Sequence, residues 1–493
     1  MSGPHKFASV QRRLGEALAA NRQGSGIDHV MVVLPSYSVS ESILSHYGDR
    51  IPALEHRYLN ALLVAGRIES CRIVFISSRA PDPAVIDYYL ELMPDERRAP
   101  ARERITLLPV DDGTPRSVAA RVLANPKLIQ NIRDMAGGRP AFIEPWNVTA
   151  NEVALAEALE MPINGTDPEL RPLGFKSAGR RLMREAGVPL PSGSEDVRNV
   201  DDIVAAVRQI RAEHPAAHAV VVKLDDSGAG DGNAVIELPG GTEDDAFDVA
   251  VRQSLEAFPE WYRRDLRDGG VVELRIEGHE LSSPSAQVDL SPNGDVVVLA
   301  THEQVLGGDS GQVYLGCQFP AAPAYAPQLA EYAQRIGTAL ARRGAVGRFS
   351  VDFTTVRPGP DAPWDVRALE VNLRKGGTTH PYAALRNIAP GRYDAPGGRW
   401  ELATGGTRVY AATDNLHDPG WVGLDPATVI GSVAAAGLQF DHRSGSGVVL
   451  HMLSGLGIDG RMGLTAIAET HADAASMQTA TRDVIGALAA SRA

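Results

Sequence analysis

Cysteine is nearly absent from this chain: Cys71 and Cys317 are the only two in 493 residues. Two thiols cannot build a disulfide framework or a thiolate metal cluster, and their scarcity fits a reducing compartment. No apolar run approaches the roughly 18 residues that a membrane span needs. The opening segment MSGPHKFASVQRRLGEALAA lacks the apolar stretch of a secretion signal. A cytoplasmic protein with no membrane partner is expected. Basic residues are outnumbered, 48 Lys and Arg against 61 Asp and Glu, for a net charge of −13. That balance argues against a nucleic-acid partner and leaves room for a local basic pocket. A phosphate loop of the G-x-x-x-x-G-K-[ST] kind does not occur.

What is present describes a packed protein. Apolar residues make up 44% and charged residues 22%, near globular averages and against wholesale disorder. The 49 glycines and 33 prolines predict many tight turns. The length suggests roughly three domains. From 28 to 167, short apolar runs at 29–35, 71–78, 104–110 and 141–145 alternate with helical stretches at 52–66, 83–92, 114–136 and 150–160. That alternation predicts a doubly wound α/β unit with a mainly parallel sheet. Beyond 168 the rhythm becomes α+β. Strands at 270–278, 279–290 and 295–305 read as an antiparallel meander, and a strand pair follows the helix at 327–343. The last ninety residues read as strand, helix, two strands and helix. Linkers are expected near 166–172 and 394–398, which gives units 1–167, 168–398 and 399–493.

Several motifs fail their context. Gly455-Leu-Gly-Ile-Asp-Gly460 matches G-x-G-x-x-G, but a strand rather than a helix follows it, so it reads as a hairpin turn. Gly308-Asp-Ser-Gly311 resembles a protease nucleophile segment without the compartment or disulfides of such enzymes. His214 and His218 are separated by Pro215 and make no helical zinc pair.

Three features remain. Lys223 ends an apolar strand and is followed by Gly228, Gly230 and Gly232, whose backbone amides can turn inward together around an anion. A solvent-facing lysine before a hairpin would look the same. Glu273 lies inside an apolar strand and needs a partner there, with Glu280 just past the turn. A pair of solvated edge carboxylates is the alternative. Most informative are Asp352 and Glu370, on two strands joined by a proline-rich turn. A hairpin folded about position 361 sets them opposite one another, with Asn372 on the same side and Arg374 continuing that face. Facing carboxylates repel unless something neutralises them, and oxygen ligands of this kind suit Mg²⁺ bound together with phosphates. A slip of one residue would break the arrangement.

At these residues the sequence resembles the ATP-grasp carboxylate–amine ligases, over about 176–382. The segment KSAGRRLMREAGVPLP, opened by Lys176, resembles the family's helix with its phosphate-contacting lysine. Lys223 with Ser227, Gly228 and Gly230 looks like the second lysine and the mobile loop over the phosphates. Glu273, Leu274 and Ile276 match the adenine-holding hinge, and Glu280 the ribose-binding glutamate. Asp352, Glu370 and Asn372 match the metal ligands, and Arg348 and Arg374 the basic residues near the transferring phosphate. Closer still, Glu303-Gln304, the 307–316 loop and NLRKGGTTHPY resemble pheganomycin-type peptide ligases. The sequence departs from relatives at Leu373 and at Asp225-Asp226, where proline is common.

The resemblance implies an ATP-grasp fold, preceded by a pre-ATP-grasp α/β domain and followed by a small α+β domain. It implies ATP and Mg²⁺ as cofactors and, as the superfamily's common habit, a homodimer. The implied activity is ADP-forming ligation of an amino-acid carboxylate to an amino acid or peptide amine, in specialised metabolism. A ligase or phosphotransferase for another carboxylic acid, and a nucleotide-binding module without turnover, are the competing readings. Substrate-pocket residues are expected from the first unit, the 307–316 loop, 378–380 and the C-terminal unit.

Overall fold

The computed structural model describes residues 4–38, 44–45, 47–110, 112, 114–227, 232–238, 244–307 and 313–492. Strands β1 (His29–Leu34), β2 (Cys71–Ser77), β3 (Ile105–Pro109) and β4 (Ala141–Pro145) form a parallel sheet in the order β3-β2-β1-β4. Alternate residues serve two cores: Met31, Val33, Ile73 and Phe75 pack on one side, and Val30, Val32, Leu34, Val74 and Ile76 on the other. Burial on both faces is why these strands are nearly continuous apolar runs. The strand order reverses between β1 and β4. In open parallel sheets such a switch point, at the carboxyl ends of the strands, forms a crevice suited to ligands. Here Ser36–Ser38 and Trp146–Asn147 flank it. Asn147 bridges the two loops, accepting from the Ser38 amide at 3.2 Å and donating to its carbonyl at 2.9 Å.

A small antiparallel sheet follows, from β5 (Gly193–Ser194), β6 (Ala219–Leu224), β7 (Asn233–Glu237) and β8 (Gly270–Leu274), in the order β5-β8-β6-β7. The helix Val200–Glu213 buries Ile203, Val207 and Ile210 against it. The chain then crosses to a large sheet. Its strands are β9 (Glu280–Ser282), β10 (Pro284–Leu290), β11 (Val296–Gly307), β12 (Val313–Phe319), β13 (Gly347–Arg357), β14 (Asp365–Asn372), β15 (Gly391–Asp394), β16 (Arg399–Leu402), β17 (Thr407–His417), β18 (Gly447–His451) and β19 (Arg461–Ala468). The path runs β14-β13-β10-β11-β12-β17-β16-β15, with β19 joining β17 to β18 and β9 pairing β13. The helix Ala326–Ala341 covers it through Leu329, Ala333, Ile336 and Leu340, against Val288, Phe349 and Phe353.

The structure revises several sequence readings. The meander expected over 270–305 holds only for β10 and β11. β8 belongs to the small sheet, and β9 pairs with β13. An apolar strand advertises burial but not its distant partner, so adjacency in sequence misleads there. The helix expected at 52–66 is three pieces, Ile51–His56, a 3₁₀ segment Arg57–Leu62 and Leu63–Arg67. The one at 114–136 breaks before Pro126, where the Asn125 side chain accepts the Leu128 amide and caps a new helix. Residues 394–398, expected as a linker, turn between β15 and β16, and β17 pairs directly with β12. Residues beyond 398 therefore continue the large sheet. The Gly455–Gly460 motif links antiparallel β18 and β19 with no α-helix after it, as a turn. The Gly308–Gly311 segment lies outside the described residues.

Candidate active site

Strands β13 and β14 pair in the register that places Asp352 directly opposite Glu370, with Ser350 opposite Asn372. A bulge immediately follows: Phe353 pairs with Ala368, leaving Leu369 as the extra residue. The site register therefore holds, while the turn side of the hairpin is offset by one. Asn372 Nδ2 donates to Asp352 Oδ2 and to Glu370 Oε1, both at 2.9 Å. Gln304 Nε2 donates to Asp352 Oδ1 at 3.0 Å. Burial and the facing Glu370 push the Asp352 carboxyl above its ordinary range. Burial opposes ionisation of Glu370 as well, but Lys176 outweighs it and holds that group down. Two carboxylates, one amide and a single close ammonium make a site still short of positive charge.

Lys176 begins the helix Lys176–Glu185, and its Nζ lies 2.5 Å from Glu370 Oε2 and 3.2 Å from the Ser227 carbonyl. Asp225 fixes that helix start. Its Oδ1 accepts from the Ser177 amide at 2.8 Å and its carbonyl from the Lys176 amide at 3.2 Å. A Cβ on Gly269, at φ +134°, would lie 2.5 Å from Asp225 Oδ2, so this contact needs glycine there. Lys223, near the end of β6, pairs with Glu273 on β8. The other oxygen of Glu273 takes Arg180 Nη1 at 2.5 Å. Burial would raise the Glu273 carboxyl, yet Lys223 and Arg180 hold it below its ordinary value. The partner that the sequence demanded for Glu273 is thus a pair of cations.

The other expected residues fall around this centre. Ser227 donates its hydroxyl to the Leu224 carbonyl at 2.8 Å, and Gly228 and Gly230 lie outside the described residues. The Leu274 amide donates to the Ser192 carbonyl at 2.8 Å, and half-buried Ile276 lies on the crossing between the sheets. Glu280 Oε2 accepts from Arg357 Nε at 2.9 Å and Nη2 at 2.6 Å. Arg348 and Arg374 line one small cavity together with Trp146, Asn147 and Lys375. Arg348 Nε is buried without a hydrogen-bond partner, and the Arg374 guanidinium lies 5.3 Å from the Trp146 ring centroid. Arg348 is brought there by close packing: a Cβ on Gly347, at φ +82°, would lie 2.8 Å from Gly165 Cα.

Sequence reasoning missed Trp146, Arg180 and the role of Gln304. Trp146 sits just beyond β4 at the switch point, a position that a parallel sheet marks for ligands. Arg180 had a weaker signal, a lone arginine on the apolar face of its helix.

Known structures share this architecture. The biotin carboxylase–β,γ-ATP complex from Campylobacter jejuni matches with a TM-score of 0.56 at 15% identity, over 94% of this chain and 95% of that one. An ADP complex of N5-carboxyaminoimidazole ribonucleotide synthetase matches with 0.52 at 12% identity, over 92% and 96%. Residues 246–376 match the family described as IQCH-like, ATP-grasp, and residues 428–481 match the PGM1 C-terminal domain. The fold is that of an ATP-grasp enzyme. The L-propargylglycine–L-glutamate ligase of Streptantibioticus cattleyicolor is 30% identical over 488 residues, covering 94% of this chain and 95% of that protein. The chain belongs to the ATP-grasp carboxylate–amine ligases. Among the described residues no helix is long and apolar enough to cross a membrane.

Proposed function

We propose that this enzyme activates the carboxylate of an amino acid as an acyl phosphate and joins it to the amine of a second amino acid or a short peptide. The observation that carries the reading is the Asp352–Glu370–Asn372 cluster with Lys176 against it. Its donors are all oxygens or an amide, and its negative charge exceeds that of the one ammonium in contact, which fits Mg²⁺. Supporting it, the relative that spans nearly the whole chain is named for joining two amino acids.

In this reading Asp352, Glu370 and Asn372 would hold the metal, which would supply charge neutralisation at the phosphates. Lys176 and Lys223 bind the phosphate oxygens, assisted by Ser227 and the amides of Gly228 and Gly230. Leu274 and Ile276 offer backbone groups to adenine. Glu273 holds Lys223 in place, and Glu280 accepts from the ribose hydroxyls. Arg374 and Arg348 stabilise the charge on the transferring phosphoryl group and on the tetrahedral adduct. No side-chain nucleophile is needed. Residues 168–398 would carry this chemistry, and the crevice at Tyr37 and Trp146 would contribute a wall for the acceptor.

Incubation with Mg-ATP and pairs of amino acids should release ADP and form amide in equal amounts. Hydroxylamine should trap a hydroxamate of the acid when the amine is omitted. ADP without amide would indicate a phosphotransferase, and AMP with pyrophosphate would overturn the acyl-phosphate route.

A further inference from the structure

Away from the carboxylate hairpin, the described residues bring a second set of ionisable side chains together. His380 lies in the helix Thr379–Ile388, Asp414 on β17, and His451 at the end of β18. His380 Nε2 lies 2.9 Å and His451 Nε2 2.8 Å from the same oxygen, Asp414 Oδ1, and the two nitrogens are 3.1 Å apart. The histidine side chains are 2% and 3% exposed and the aspartate 11%. The backbone makes room for this packing: a Cβ on Gly463 of β19 would lie 2.2 Å from His451 Nε2.

Protons alone satisfy this triangle only with crowding. Each imidazole Nε2 carries at most one hydrogen, and an ionised carboxylate only accepts. If both histidines donate to Asp414 Oδ1, that oxygen accepts both but holds two N–H donors side by side with their nitrogens 3.1 Å apart. If one donates to the other, a ring lone pair faces the carboxylate oxygen. A proton on Asp414 would close the ring, but Arg57 Nη1 sits 2.7 Å from its other oxygen and favours the ionised form. A cation at the centre resolves all three contacts at once. Neighbouring ligands of a six-coordinate ion with bonds of roughly 2.1 Å are about 3.0 Å apart, which matches the observed separations.

We propose that His380, Asp414 and His451 bind a divalent first-row transition-metal ion through a two-histidine, one-carboxylate face. Two imidazoles favour such an ion over Mg²⁺, so the site differs in chemistry from the all-oxygen cluster on β13 and β14. Arg57 orients Asp414 from behind, and Asn60 Nδ2 holds the His380 carbonyl at 2.5 Å. The inference is independent of the ligase assignment.

The test uses full-length protein stripped with a chelator, returned to excess Mg²⁺ and titrated with Co²⁺ under visible absorption. One equivalent of Co²⁺ per chain is expected, with d–d bands. These should vanish in His380→Gln/His451→Gln and persist in Asp352→Asn/Glu370→Gln, with circular dichroism showing both variants folded. The proposal falls if no stoichiometric Co²⁺ binds, if the bands survive the histidine substitutions, or if they vanish with the carboxylate substitutions. Should the histidine variant not fold, proton NMR of the Co²⁺-loaded wild type decides. Two paramagnetically shifted imidazole rings support the site, and none overturns it.

Discussion

Two carboxylate clusters lie close together in this protein and are built on opposite principles. Around Glu273, Arg180 and Lys223 occupy both carboxylate oxygens, and Arg180 is held further by Glu195 at 2.7 Å and the Pro191 carbonyl at 3.0 Å. That cluster is closed. Around Asp352 and Glu370, two acids face across a sheet with one lysine in contact. That cluster is open to a further cation. The first works as a strut, fixing the lysine at the end of β6. The second keeps an electrostatic tension that a metal–phosphate complex would relieve. Burial of charge therefore says little about role until the partners are counted.

The sharpest way to break this contrast is to neutralise each cluster in turn. Asp352→Asn or Glu370→Gln should cut ADP formation by on the order of 10²–10³-fold, measured as initial rates at saturating Mg-ATP. The urea midpoint of Asp352→Asn should hold or rise, because a like-charge pair is removed, whereas Glu370→Gln leaves the buried Lys176 ammonium unpaired and should lower it. If turnover survives both substitutions, the metal assignment is wrong. Glu273→Gln should do the reverse to stability, costing about 3–5 kcal/mol by leaving buried cations unpaired, as read from urea unfolding. An unchanged midpoint would show that the strut is dispensable.

Smaller effects refine the comparison. Gln304→Ala removes the amide that orients Asp352 and should weaken Mg²⁺ binding about 10–100-fold, measured by titration. Asp352 has a folded-state pKa above its unfolded value. Its contribution to stability is present at low pH and is lost as pH rises through the folded pKa. A divalent cation needs the ionised form, so the rise in Tm on adding Mg²⁺ should be larger at about pH 8 than at about pH 5.5. A pH-independent rise would count against Asp352 as a ligand. Asp225→Ala loses a helix cap and should cost about 1 kcal/mol, with a weaker KM for ATP through Lys176.

How much could be read in advance follows from sequence distance. The β13–β14 hairpin is local, so alternation and a proline-rich turn were enough to place Asp352 opposite Glu370 and Asn372 beside them. The bulge after Asp352 was not visible, because an extra residue changes pairing without changing the apolar pattern. The parallel strands β1 to β4 were plain from their continuous apolar runs. Long-range choices were not: that β8 leaves β9 for another sheet, that β17 docks on β12, and that Arg180 reaches Glu273.

The amino-acid sequence alone determined the elements whose partners lie within a few tens of residues, including the acidic hairpin, and the two lysines as candidates for phosphate. Tertiary structure decided everything that depends on chain segments meeting across hundreds of residues. Trp146 came to lie against Arg374 in this way, and Arg57 against Asp414. Local periodicity records which face of an element is buried, but not which distant element buries it.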